Sequence, residues 1–156
     1  MVPGGVTYST DSLPLARMSR RFLGWAIDYL LFSIPFTLVT LATSTSPERE
    51  VVGEAPLWAT FGFVAASAIY ETTLIATRGY TLGAWIVKVR IVRIDDGRVP
   101  GWSKAGIRAL VPLASQAVPV IGLVLMTVVY LTAFVSPRRQ GLHDRAAGTI
   151  VVAATR

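Results

Sequence analysis

Apolar positions in this chain fall into three long stretches divided by charged connections. Phe22 to Thr43 carries one charge, Asp28; Leu57 to Thr77 carries one, Glu71; Ala109 to Pro137 carries none. A helix crosses a bilayer core with roughly 20 apolar residues, so each stretch is long enough to span. The first also outruns the h-region of a signal peptide, about 7 to 15 apolar residues, and contains Asp28, so it reads as a retained helix.

The third stretch divides. As one helix its 29 residues would run about 43 Å against a hydrocarbon core near 30 Å. Pro119 interrupts it, removing a backbone hydrogen bond and disfavouring helix at Val118. Helical phase reads as Ser103 to Ala117, then Val120 to Val135. A kink at the break would leave the C-terminus outside; a tight helical hairpin would return it. Arg138, Arg139, Arg145 and Arg156 against Asp144 in the tail favour the return.

Runs rich in β-branched residues appear outside the apolar stretches. Val89 to Ile94 reads Val-Arg-Ile-Val-Arg-Ile, and Asp95-Asp96-Gly97 is a turn signal, so a hairpin continuing into Arg98 and Val99 is predicted. Thr149 to Val152 is a second β-branched run. Short strands need partners, and pairing these two requires both ends of the third stretch on one side of the membrane. Between the second stretch and the first strand, Tyr80 to Lys88 has the aromatic residues of an interfacial segment. The expected fold is therefore an all-α polytopic membrane protein with a small cytoplasmic β element. Residues 1–17 form a flexible cytoplasmic tail, 18–152 the transmembrane domain and 153–156 a C-terminal tail.

Composition agrees with hydropathy: 53% hydrophobic residues is too apolar for an ordinary soluble domain. The absence of cysteine removes disulfides and thiol catalysis, and the single His143 cannot build a multi-histidine metal site. No cofactor is implied. The net charge of +6 is distributed by side. Arg17, Arg20 and Arg21 precede the first stretch, and the connection from Arg78 to Arg108 holds seven basic residues against Asp95 and Asp96. Glu48, Glu50 and Glu54 outnumber Arg49 between the first two stretches. The positive-inside rule then makes the N-terminus and the long connection cytoplasmic and the acidic loop external, and the expected setting is a multi-pass chain in the cell's inner (plasma) membrane. Its partners are the lipid bilayer and anionic headgroups, with a homo-oligomer or a larger membrane complex left open. Nucleic-acid binding is excluded for want of an aromatic-basic groove or motif.

Carboxylates at apolar depth cost several kcal/mol unless paired, protonated or wet, which marks Asp28 and Glu71 as candidate site residues. Asp28 lies seven residues after Arg21 and Glu71 seven before Arg78, so the acids share one depth, about 10 Å from the inner surface. Arg108 reaches that level from the same side, giving an expected polar cluster of Asp28, Glu71 and Arg108. Two readings follow: an ion or proton site, or a static clasp in which the spare acid is protonated or bonds Ser33, Thr37 or Tyr70. Asp144 is expected to cap a turn or pair with Arg90 or Arg139. His143-Asp144-Arg145 has no nucleophile in context, so no enzyme is expected.

Three local patterns, in order from Met18 to Val152, together resemble the RDD family of small bacterial membrane proteins. They are Arg21-Phe-Leu-Gly-Trp-Ala-Ile-Asp28; Gly79-Tyr-Thr-Leu-Gly83 followed by Val89-Arg-Ile-Val-Arg-Ile-Asp95; and Arg139-Gln-Gly-Leu-His-Asp-Arg-Ala-Ala-Gly-Thr149. The resemblance gives Arg21, Asp28 and Asp144 as the naming arginine and aspartates, with Gly79, Gly83, Gly141, His143, Gly148 and Thr149 in support. Ala84 stands where the family commonly has lysine. The family implies a membrane-embedded fold, with transport suggested for some members. Two functional classes therefore follow: transport of a small ion or solute, or a non-catalytic accessory or scaffold subunit.

Overall fold

The computed structural model describes residues 14–43, 57–116 and 122–154, with cis peptide bonds absent among them. Six helices and two strands follow in order: α1 Met18–Thr43, α2 Leu57–Arg78, α3 Leu82–Ile86, β1 Val89–Arg93, α4 Gly101–Gln116, α5 Gly122–Val135, α6 Leu142–Ala147 and β2 Thr149–Ala153. The protein is mostly helical with one small sheet.

The two β-branched runs pair with each other. β1 and β2 are antiparallel, with Ile91 opposite Val151 and Val92 opposite Ile150. Apolar residues occupy both faces because both are covered. Val89, Ile91 and Val151 pack with Ile75 and Ala76 of α2, Ala84 of α3 and Ala105 of α4. Val92, Ile150 and Val152 pack with Leu15 and Ile94 on the other face. The outer edges are covered as well: Ile91 N donates to the Gly79 carbonyl at 2.7 Å, and Leu15 bridges Val152. Covered edges and faces let two short strands persist.

Two sequence expectations change here. The turn after β1 forms, with Arg93 N donating to the Arg98 carbonyl at 2.8 Å, but no strand follows at Arg98 and Val99. Pro100 lacks an N–H for a ladder, and α4 starts directly after it. The expected tails are also shorter. Ala16 N donates to the Val151 carbonyl at 3.0 Å, and Ala154 N to the Lys88 carbonyl at 2.9 Å, so both chain segments are tied to the sheet.

Helices α4 and α5 leave and return on one side. Arg108 in the first half of α4 and Tyr130 in the second half of α5 both meet α6, which leads directly into β2. The break at Val118 and Pro119 lies outside the described residues, as does the acidic loop. Pro112, inside α4, has no N–H to offer the Arg108 carbonyl one turn back.

Among the described residues one helix, Met18–Ala42, is long and apolar enough to cross a membrane; Val124–Val135 is apolar but shorter. Outward faces are strongly apolar, with Leu38 at 62%, Phe61 at 70% and Ile69 at 67% exposure.

Candidate functional site

One face of α1 organises the polar interior. Arg21, Gly24 and Asp28 recur at helical spacing and meet different partners in turn. Arg21 Nη2 pairs with Asp144 Oδ2 of α6, and its Nη1 donates to the Arg139 carbonyl. Gly24 backs onto α3, and Asp28 lies beside the N-terminus of that helix.

Asp28 is satisfied without a cation. Its carboxylate accepts from Tyr70 Oη at 2.8 Å, Thr81 Oγ1 at 2.5 Å and Gly83 N at 2.9 Å. Thr81 is the N-cap of α3, so its hydroxyl also accepts from Ala84 N at 3.2 Å. Tyr70 Oη accepts from Leu82 N at 2.9 Å while donating to Asp28. The Gly79-Tyr-Thr-Leu-Gly83 pattern is thereby a cradle for one carboxylate. Gly83 has no room for a side chain, since a Cβ there would lie 2.0 Å from the Gly24 carbonyl oxygen and 2.8 Å from Asp28 Oδ2.

Arg108 is the second centre. Its Nη1 bonds Glu71 Oε1 at 2.5 Å and its Nε bonds Asp144 Oδ1 at 3.0 Å. Asp144 therefore sits between two guanidiniums, Arg21 and Arg108, with 0% exposure. It also accepts from Gly141 N at 3.4 Å, capping α6. Burial opposes its ionisation, but Arg108, His143 and Arg21 outweigh that and hold its pKa at about 2. His143 packs against Tyr130 with ring centroids 4.7 Å apart. Burial keeps it neutral, pushing its pKa down to about 4.

Gly148 closes α6 in the left-handed conformation at φ +61°, and its carbonyl accepts from Ile94 N at 3.0 Å. Thr149 follows, wholly buried, donating Oγ1 to the Asp144 carbonyl at 3.3 Å. Gly79 takes φ +77° where α2 turns toward α3.

Of the three residues expected to cluster, the structure brings Arg108 onto Glu71, but the second acid on Arg108 is Asp144, not Asp28. The reason is rotational: Asp28 lies on the α1 face turned to α3, and Tyr70 and Glu71, adjacent on α2, divide the two centres between them. Tyr70 is the partner of Asp28; Ser33 and Thr37 have no bond to it among the described residues. Arg90 and Arg139 likewise make no side-chain pair with Asp144, because α6 turns its carboxylate inward to α1 and α4. Thr81 was the residue that sequence reasoning missed; its signal was a threonine immediately before a short apolar helix.

Both centres border one cavity of about 830 Å³ between α1, α2, α4 and α5, lined by Asp28, Glu71, Arg21, Arg108 and predominantly apolar side chains. Among the described residues no three His, Asp or Glu side chains gather as metal ligands would.

A mostly helical protein with one helix long and apolar enough to cross a membrane among the described residues, its elements tied by buried arginine–aspartate contacts, is the class that this architecture defines. The chain belongs to the RDD family, whose sequence model matches residues 15–148. Arg21 and Asp28 stand in the first of the three patterns that carry the resemblance, and Asp144 in the third. Among curated proteins and among solved structures nothing matches the chain.

Proposed function

We propose that this chain is a multi-pass inner-membrane protein, N-terminus cytoplasmic, that moves a small ion or solute through the cavity between α1, α2, α4 and α5. The observation that carries the reading is that cavity, about 830 Å³ of mostly apolar wall with Asp28 and Glu71 facing into it. Carboxylates retained at membrane depth mark solute or ion paths. On this reading α1 and α2 each cross once, and α4 with α5 forms a hairpin that enters and leaves on the cytoplasmic side. The exposed apolar side chains of α1, α2 and α5 then face lipid instead of water. Leu82 and Trp85 of α3, both partly exposed, lie at headgroup depth, and Arg17, Arg20 and Arg78 meet anionic lipid.

Flux into proteoliposomes tests it. Purified full-length chain should move alkali cations, protons or a small organic solute above the rate of empty vesicles. Asp28→Asn and Glu71→Gln should each reduce that flux at least about tenfold. Flux absent from the wild type, or unchanged in both variants, would remove the proposal.

A second reading, an accessory subunit of a larger membrane complex, is favoured by one observation. Every naming residue is already saturated within the chain, as a purely architectural motif would be. Mild-detergent purification with mass spectrometry would then return a stable heterologous partner; a lone monomer or homo-oligomer counts against it.

A further inference from the structure

We infer that the same cavity is a binding site for a lipophilic organic monocation, an ammonium or phosphonium carrying aromatic or alkyl groups. This rests on the proposed reading of the cavity as a solute path and names the class of solute. Size excludes a bare ion as the fitted occupant: this half-open cleft of about 830 Å³ lies within the roughly 300–1,000 Å³ of clefts and cavities that take drug-sized ligands.

The wall chemistry selects charge and shape together. Six rings, Phe22, Trp25, Tyr29, Phe63, Phe32 and Tyr70, follow one another with successive centroids 5.8, 5.5, 6.3, 6.5 and 4.7 Å apart, and all six line the cavity. Aromatic faces attract cations and bury apolar substituents. The run ends at Tyr70, whose hydroxyl is bonded to Asp28. Both guanidiniums at the cavity are already neutralised, Arg21 by Asp144 and Arg108 by Asp144 and Glu71. Counting Asp28, three carboxylates face two guanidiniums, and among the described residues Asp28 has hydroxyl and N–H donors but no cationic partner. A monocation balances that charge. An anion would add to it, and a hydrated metal ion would give up water to walls that are mostly apolar.

Tetraphenylphosphonium and tetraphenylborate, one shape with opposite charges, are the probes. Equilibrium binding to full-length protein in nanodiscs, corrected by protein-free discs, should show saturable uptake of the phosphonium and none of the borate. Asp28→Asn should weaken phosphonium binding at least about tenfold. Ala68→Trp, which fills the cavity while leaving the Asp28 donors in place, should weaken it as much with helicity unchanged. Equal binding of the two ions to the wild type, or full phosphonium affinity in a folded Ala68→Trp variant, would overturn the inference. Binding without flux would leave this inference standing and remove transport; alkali-cation flux without phosphonium binding would do the reverse.

Discussion

Replacing Asp144 by asparagine probes the contact that holds three helices at once. The carboxylate is wholly buried, with Oδ2 on Arg21 of α1 and Oδ1 on Arg108 of α4. Asparagine keeps the shape and one acceptor but removes the charge and turns an N–H₂ toward one guanidinium. Breaking a buried ion pair from one side costs about 3–5 kcal/mol. Glu71 still faces Arg108 and the Arg139 carbonyl still faces Arg21, which places Asp144→Asn near the lower end, about 3 kcal/mol. Unfolding in mixed micelles, followed by tryptophan fluorescence and circular dichroism, measures the loss. A double-mutant cycle with Arg21→Met should return a coupling of about 2 kcal/mol. A loss below about 1 kcal/mol, the level of a solvent-exposed pair, would refute the clasp.

Other outcomes follow from individual contacts. Gly83→Ala forces a Cβ onto the Gly24 carbonyl oxygen and should cost at least about 2 kcal/mol, read in the same unfolding assay. Thr81→Val removes both the α3 cap and one Asp28 bond, for a loss of about 2 kcal/mol, whereas Thr81→Ser should restore most of it. Acid should destabilise the protein in two windows. His143 is neutral when folded and binds a proton on unfolding below its ordinary 6.5, so stability present above that pH falls toward pH 4, by about 3 kcal/mol. Asp144 stays ionised when folded, so its contribution is lost between its ordinary 3.8 and about 2. His143→Gln should flatten the upper window and narrow the lower one, because His143, protonated below about pH 4 and 3.5 Å from Asp144, helps to keep that carboxylate ionised.

The two β-runs were legible because both are rich in β-branched residues, Val89 to Ile94 in one and Thr149 to Val152 in the other, and a pair of short strands has to find a partner. The long helices were legible from hydropathy and, for α4 and α5, from the break at Pro119, whereas the short α3 and α6 were not. Partner choice inside the polar interior was not. Equal depth placed Asp28, Glu71 and Arg108 together, but depth says nothing of rotation about a helix axis, and rotation sends Asp28 to α3 and Arg108 to α6. Asp144 offered a local clue, since it lies three residues after Gly141 at the capping position of α6. Its two arginine partners lie 123 and 36 residues away in sequence, and no local pattern encodes such pairings. The strand expected at Arg98 and Val99 failed for a local reason that was visible, the proline that follows.

On the proposed reading these contacts surround a cavity, open to solute, inside a membrane. The chain has no native cysteine, so single cysteines report cleanly. Ser67 lines the cavity, while Ile69, two residues on along α2, is 67% exposed on the outer face. In native vesicles a membrane-impermeant thiol reagent should label Ser67→Cys and leave Ile69→Cys unmodified until detergent is added. Equal labelling of both would contradict a membrane setting for this face of α2, and labelling of neither would contradict a cavity open to solute.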